Sequence, residues 1–177
     1  MRISIDSIIT RMRNDAKYLA LKKAFRTSSV FRIPTEELQT EIERIHKMRK
    51  IRRLDVDDPK FLDSLISAAT QEIGNRSRLV EISVQVVKAV DLLQEGCDNL
   101  QDYLLVEYAS YLQPFKTKEE RTNIVSTAIR PFTKFINKAT VLKTQCDMVI
   151  KDIDQGGYGL RLMVDAYRVH RAPERNI

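Results

Sequence analysis

The most constraining feature of the chain is an apolar repeat that extends from Val125 to Ile153. Apolar residues recur there at alternating steps of three and four, at Val125, Ala128, Phe132, Phe135, Ala139, Leu142, Cys146, Val149 and Ile153. A seam of about four heptads predicts an amphipathic helix that pairs with another helix, in the same chain or in a second copy. Pro131 lies inside the repeat and is expected to kink this helix without changing the period.

A second long helix is predicted before the seam. Its apolar side extends from about Leu79 to Tyr111, and Pro114 follows it in a short loop. Thr117 and Glu120 then fit a capping box that starts the seam helix. Two long helices joined by a short loop predict an antiparallel hairpin. From Leu79 to Val87 the second long helix has apolar residues on more than one face, so one partner helix cannot cover them all. The others are expected to pack on the N-terminal helices or on another subunit, and a homo-oligomer is predicted.

Shorter helices are predicted in the N-terminal part. The first is expected to run from Ser4 or Asp6 to about Arg26, and the second to begin at Thr35 and to end in a basic run. Between them, Pro34 disfavours helix in the residue before it and marks the strongest internal boundary.

Two further signals concern the ends of the long helices. Asp58 and Pro59 predict a helix start, because Asp can cap and Pro tolerates the first helical position. The pattern leaves open whether the helix breaks at Gly74-Asn75. Gln155-Gly156-Gly157-Tyr158-Gly159 is expected to end the seam helix before a short final helix.

The predicted fold class is therefore all-α. A long antiparallel helical hairpin or coiled coil is expected over residues 59–177, including the short final helix. A smaller basic helical region is expected over residues 1–58.

Charge is unevenly distributed along the sequence. Residues 1–33 contain eight Lys and Arg against two Asp, and this excess equals the formal net charge of +6 of the whole chain. Residues 61–120 are acidic, whereas residues 121–151 hold six basic residues and only Asp147. The surface is therefore expected to be electrically polarised.

The sequence has no phosphate-binding loop, zinc-binding motif or hydrolase triad, so we predict a non-enzymatic protein without cofactor, metal or small-molecule substrate. Cys97 and Cys146 fall in apolar stretches and are interpreted as buried thiols; a disulfide between them is the alternative. No apolar run has the length of a signal peptide or a membrane span, which predicts a cytoplasmic protein that does not contact membranes.

The basic segments are the features that suggest a ligand. The segment from Lys47 to Arg53 places five cations within seven residues, a density suited to phosphates, and the first helix adds a second group. The candidate nucleic-acid-binding residues are Lys47, Arg49, Lys50, Arg52, Arg53, Arg11, Arg13 and Lys17. The alternative is a solvated helix end, since cations also favour the negative end of a helix dipole. Tyr103, Tyr108 and Tyr111 have the spacing of core residues or of a base-stacking surface.

The C-terminal half resembles a known family. Leu104-Leu105-Val106-Glu107-Tyr108-Ala109-Ser110-Tyr111-Leu112 ends one long helix, Cys146-Asp147-Met148-Val149-Ile150-Lys151-Asp152-Ile153 closes the next, and Gly157-Tyr158-Gly159-Leu160-Arg161 follows. This layout, from about Leu79 to Val169, is similar to the UvsY-type recombination mediators of large tailed phages. Gly156 stands where that family usually has an Arg, while Gly157-Tyr158 matches its Gly-aromatic pair.

The resemblance implies a small oligomeric protein that binds single-stranded DNA in the cytoplasm of a phage-infected host. Such a protein would act in DNA recombination by helping to load a strand-exchange recombinase onto DNA coated by a single-strand-binding protein. The alternative from the residues alone is a helical assembly or virion structural protein that acts through protein–protein contacts.

Overall fold

The computed structural model of the chain describes residues 4–55 and 58–171. Six α-helices lie in these residues: α1 (Ile5–Arg13), α2 (Ala16–Thr27), α3 (Thr35–Lys47), α4 (Phe61–Glu107), α5 (Ala109–Leu112) and α6 (Lys118–Arg171). Two 3-10 turns, Ser29–Phe31 and Lys50–Arg53, connect the shorter helices. No strand occurs within the described ranges, and the prediction of an all-α fold is confirmed.

The two long helices pack against each other as the predicted hairpin. Their antiparallel sense is visible in two contacts, in which Ser83 bonds to Asp147 at 3.5 Å and Arg76 donates to Asp154 at 2.8 Å. Helix α4 continues without a break through Gly74-Asn75, which answers the question that the sequence left open.

Capping residues define the starts of both long helices. The Thr117 hydroxyl accepts the Glu120 N–H at 3.1 Å, and the Glu120 carboxylate accepts the Thr117 N–H at 3.2 Å, so the predicted capping box is confirmed. The Asp58 carboxylate accepts the Lys60 N–H at 2.9 Å, one residue before α4 begins. The Thr117 hydroxyl thereby satisfies a first-turn N–H of α6 that has no partner inside the helix.

Three predicted helix boundaries were wrong. The first helix is divided between α1 and α2 at Asn14 and Asp15, because Asp15 caps α2 by accepting the Lys17 N–H at 2.8 Å. Helix α3 ends at Lys47, and the basic run continues only as the 3-10 turn. Helix α6 passes through all three glycines to Arg171, so the predicted stop and the separate final helix are absent. Packing of buried Leu160 and a close approach at Gly156 outweigh the low helix propensity of glycine.

The chain divides into two compact units. Unit 1 comprises Met1–Pro34 and Gln85–Val141, and unit 2 comprises Thr35–Val84 and Leu142–Ile177. One division falls at Pro34, where the sequence has its strongest internal boundary signal, and the other two lie inside α4 and α6. The division at residue 58 stays a prediction.

Each unit has its own core. In unit 1, α1 and α2 pack on the two long helices around buried residues that include Met12, Tyr18 and Phe132. Phe25 makes edge contacts there with Phe132 and Phe135 at ring-centroid distances of 5.7 and 5.2 Å. In unit 2 the buried apolar residues of α3, α4 and α6 include Leu38, Ile42, Phe61, Leu79 and Leu160, and the partly buried Ile51 of the 3-10 turn after α3 packs against this core.

The predicted seam is buried along both units. Val125 and Phe132 lie in the core of unit 1, where Phe135 is half-buried, while Leu142, Val149 and Ile153 lie in the core of unit 2. Both cysteines are buried free thiols, as interpreted from the sequence, and burial raises the pKa of each to about 11. Among the described helices, none combines the length and the apolar character needed to cross a membrane.

Candidate nucleic-acid interface

The net charge of the protein lies in one unit. Unit 1 contains fifteen Lys and Arg against nine Asp and Glu, whereas unit 2 contains fifteen of each. The whole formal charge of +6 is therefore in unit 1, and unit 2 is neutral. The basic run from Lys47 to Arg53, the strongest cationic signal in the sequence, belongs to the neutral unit.

Arg49, at the centre of that run, is a core residue with 2 % of its surface exposed. Its Nε lies 2.9 Å from both carboxylate oxygens of Glu72, and its Nη2 lies 2.7 Å from one of them. Its Nη1 donates to the Asp152 carboxylate, and its Nη2 to the Asp152 main-chain oxygen at 3.3 Å. Burial alone would lower the pKa of Arg49, but the hydrogen bonds and charges of Glu72 and Asp152 outweigh burial and raise it. Arg49 is thus inaccessible to a phosphate.

Glycine at position 156 makes room for this guanidinium. A Cβ added to Gly156 would lie 2.7 Å from the Arg49 Nη2 and 3.2 Å from the Ile51 Cδ1, closer than side chains normally approach. The same addition at Gly157 would meet no atom within 4 Å. The space beside Gly156 is therefore occupied by the side chain of Arg49, which reaches it from another segment of the chain.

Other cations of the run also have partners inside unit 2. Arg52 donates to Asp152 at 2.7 Å, Lys50 donates to the Ser67 hydroxyl at 2.9 Å, and Lys47 lies 3.8 Å from Glu43. These three side chains and that of Arg53 are exposed. Acidic side chains therefore pair with Lys47, Arg49 and Arg52, whereas Lys50 and Arg53 form no ion pair with the residues that the structure describes. The four cations other than Arg49 are at the surface.

Arg13, a candidate from the first helix, compensates for the proline inside α6. Pro131 has no N–H to donate to the Thr127 carbonyl four residues earlier. The Arg13 guanidinium donates instead, from Nη2 to the Thr127 oxygen at 3.0 Å and from Nε to the Ala128 oxygen at 3.2 Å. A contact between α1 and α6 thus satisfies a backbone group that α6 cannot satisfy itself.

The other two first-helix candidates lie against tyrosines. Arg11 donates to the Tyr111 hydroxyl at 3.0 Å and lies 5.1 Å from the centre of that ring, and Lys17 lies 3.8 Å from the centre of the Tyr103 ring. Such contacts are cation–π interactions that hold the tyrosines in place. The hydroxyls of Tyr103 and Tyr108 both lie within 3.4 Å of the Asp15 carboxylate. The three tyrosines pack against the core of unit 1.

A different set of cations in unit 1 has no acidic partner. Arg130, Lys134 and Lys138 are exposed and follow one another at four-residue steps on α6. Lys22 and Arg26 lie on α2, on either side of Phe25. None of these five side chains forms an ion pair with any residue in the ranges 4–55 and 58–171.

These five residues define the unit 1 cationic face. Four of them are close in sequence to Phe25 or Phe135, whose half-buried rings join α2 to α6, whereas Arg130 lies five residues before Phe135. Lys134 and Lys138 are within one helical turn of Phe135, and Lys22 and Arg26 are within one turn of Phe25. In the sequence, the signal for the α6 part of this face is the basic stretch from residue 121 to 151, in which Arg130, Lys134 and Lys138 are four residues apart.

Within the described residues, no group of three or more His, Cys, Asp or Glu side chains is placed to hold a metal ion. Comparison with known proteins found no matching family model, curated protein or solved structure.

Proposed function

We propose that the protein is a non-enzymatic accessory protein that binds single-stranded DNA through the unit 1 cationic face. The observation that carries this proposal is the confinement of the net charge of +6 to unit 1, together with five cations there that lack acidic partners. Phosphates are the ligands that such a face attracts, and it attracts them without regard to base sequence.

The rings at the centre of the face favour a single strand over a duplex. Proteins that bind single strands combine a cationic surface with aromatic rings on which exposed bases stack. Phe25 and Phe135 are half-buried rings among the cations. A single strand would place its phosphates on the cations and its bases toward the rings, whereas the bases of a duplex are already stacked on each other.

The resemblance to UvsY-type mediators supports a specific biological role. We propose that the bound strand is the substrate of a strand-exchange recombinase, which the protein helps to load onto DNA covered by a single-strand-binding protein. Because this chain has Gly156 where the family usually has an Arg, we place the proposed contact on unit 1 and not on the glycine segment of α6. A DNA contact through Arg49 beside that segment is not expected, because Glu72 and Asp152 occupy its guanidinium.

The test compares two triple variants that remove the same charge from different units. One carries Arg130→Ala, Lys134→Ala and Lys138→Ala, and the control carries Lys47→Ala, Lys50→Ala and Arg53→Ala. Binding of a labelled single-stranded oligonucleotide is followed by fluorescence anisotropy from about 50 to about 200 mM salt, the range over which phosphate contacts weaken strongly. The unit 1 variant should lower the slope of log affinity against log salt by about 2, since each lost contact to a single strand removes about 0.7.

The control should retain most of the wild-type affinity and slope. Absence of wild-type binding at about 50 mM salt would refute the proposal. If the control lost more affinity than the unit 1 variant, the DNA contact would lie on the basic run of unit 2. Equal losses of affinity would show only a general effect of charge.

A second candidate is a helical assembly or virion component, and the exposed apolar residues of α4, such as Ile66 and Ile73, favour it. Light scattering with and without single-stranded DNA separates the two functions. A DNA-binding accessory protein changes its mass when DNA is added, whereas a purely structural component does not.

A further inference from the structure

Helix α4 has a second apolar line that its own hairpin does not cover. In unit 2 this line, here called the α4 stripe, comprises Leu62, Ile66, Ile73, Val80 and Val84, whose exposed fractions are 46 %, 64 %, 69 %, 38 % and 61 %. Ile66, Ile73 and Val80 are spaced by seven residues, so they lie almost above one another along the helix. A helix packed alongside α4 would contact all of them.

The other sides of α4 in unit 2 already have partners. Leu65, Leu79 and Ile82 are buried in the core, on the side that packs on α6. On a second side, Arg78 donates to Glu41 of α3 at 2.8 Å, and Ser67 accepts from Lys50 at 2.9 Å. The α4 stripe is on a third side. Next to it a groove of about 810 Å³ opens between Ile73 and Tyr158, with Leu65 and Ala69 in its wall.

Charge indicates which partner suits this face. Unit 2 carries equal numbers of acidic and basic residues, so two copies can approach through it without net repulsion, whereas two copies of unit 1 would each bring a charge of +6. Asp63, Arg76 and Glu81 are the charged residues closest to the stripe, and two of them are already paired, Arg76 with Asp154 and Glu81 with Arg78. The stripe is thus a nearly neutral apolar surface of the kind that buries well against itself.

We propose that the protein forms a two-fold dimer in which the α4 stripe packs antiparallel against that of a second copy, centred near Ile73. Beside this centre, a Cβ added to Gly74 would meet nothing within 4 Å, so the surface there is free for close approach. The end of the stripe that contains Ile66 then meets the end that contains the partner's Val80. A two-fold axis makes the same patch serve both copies, which closes the assembly at two chains.

The antiparallel direction follows from the charged residues. A parallel pairing in register would place Arg76 next to the partner's Arg76 and Asp63 next to the partner's Asp63. Like charges that face each other across a helix pair are destabilising. In the antiparallel pairing Arg76 lies opposite the region around Thr70, which is uncharged.

The first experiment measures the mass of the full chain without nucleic acid by sedimentation equilibrium. At about 100 µM, where a micromolar Kd gives mainly dimer, the wild type should have twice the monomer mass. Ile73→Glu should raise the Kd by more than about tenfold, because it places two carboxylates at the centre of an apolar contact. The matched control is Met148→Glu, since Met148 is 67 % exposed on α6 outside the stripe.

A wild-type monomer at this concentration, or equal masses for the wild type and Ile73→Glu, would overturn the proposal. Equal dissociation by Met148→Glu would do so as well, because the stripe would then have no special role. Far-UV circular dichroism of each variant shows that the helices remain folded.

The second experiment tests direction. Ile66→Glu and Val80→Lys should each weaken the dimer, and the double variant should restore it, because an antiparallel pairing brings each new carboxylate to a new ammonium of the other copy. The two positions are about 21 Å apart along one helix, too far for a pair within one chain. Further weakening in the double variant would show a parallel pairing and refute the proposed geometry.

The dimer does not depend on the proposed DNA-binding function. Its residues lie in unit 2, and its test contains no DNA. A monomer that still binds the oligonucleotide would contradict only the dimer, and a dimer that does not bind it would contradict only the DNA-binding proposal.

Discussion

The two units contain the same number of basic residues and use them differently. The sequence of unit 2 has fifteen Lys and Arg and fifteen Asp and Glu, and its densest basic run contains Arg49, which is buried between Glu72 and Asp152. The sequence of unit 1 has fifteen basic and nine acidic residues, and its cations spaced along α6 have no acidic partner among the described residues. The density of cations in a sequence therefore does not indicate how many are accessible to a ligand. Whether a cation is accessible depends on which acidic side chains, including those of other segments, lie next to it in the fold.

The largest expected effect concerns the buried charge of unit 2. Arg49→Ala should lower the free energy of unfolding by about 3–5 kcal/mol, because it leaves Glu72, only 4 % exposed, buried without its partner. Arg53→Ala, at an exposed position of the same run, should change it by less than about 0.5 kcal/mol. Urea denaturation followed by circular dichroism measures both.

A rescue variant tests the cause of this effect. Arg49→Met combined with Glu72→Met removes both buried charges and should recover most of the lost stability, since apolar residues of similar volume often replace a buried ion pair without loss. A double variant as unstable as Arg49→Ala would show that the contact with Asp152, and not the unpaired Glu72, dominates.

The next effect distinguishes two neighbouring glycines of α6. Gly156→Ala should destabilise by about 1–3 kcal/mol, because its methyl group would displace the Arg49 guanidinium from its two carboxylates. Gly157→Ala should instead stabilise by up to about 1 kcal/mol, through higher helix propensity in open space. The difference in Tm between the two variants is the measurement, and equal shifts would contradict the close approach of Arg49.

A smaller effect on stability is expected at Arg13, a cation of unit 1 that hydrogen-bonds to the backbone of α6. Arg13→Ala should cost about 1 kcal/mol, because the Thr127 carbonyl loses the donor that replaces the missing N–H of Pro131. In a Pro131→Ala background the restored backbone N–H takes over this role, so the cost of Arg13→Ala should fall. A double-mutant cycle by chemical denaturation gives the coupling, and additive effects would show that Arg13 acts independently of the proline.

The smallest effect is a pH dependence in unit 2. Burial raises the pKa of Asp152, but the charges and hydrogen bonds of Arg49 and Arg52 outweigh burial and hold the pKa below its ordinary value. Since the pKa is lower in the folded than in the unfolded state, the stabilisation is present above about pH 4 and is lost as the pH falls through the folded-state pKa. The wild type and Asp152→Asn should therefore converge in Tm as the pH falls from about 5 to about 2. A constant difference would show that the carboxylate charge is not involved.

The sequence predicted the features that depend on local chemistry and periodicity. The alternation from Val125 to Ile153 identified the buried side of α6, since spacing alone decides which side chains share a helix face. The capping box at Thr117 was also predictable, because both of its hydrogen bonds join residues three positions apart. The long apolar pattern on α4 and the short loop after it similarly led to the hairpin.

The tertiary structure decided what depends on residues that are far apart in the sequence. The carboxylates that neutralise Arg49 are 23 and 103 positions away, so no local pattern could reveal that this arginine is buried. The same packing carries α6 through Gly156, where local propensity predicted a stop. The sequence by itself determined which residues can form helices and which sides are apolar. Only the fold determined which cations are neutralised and which remain exposed, because a charge is compensated by the groups near it in space.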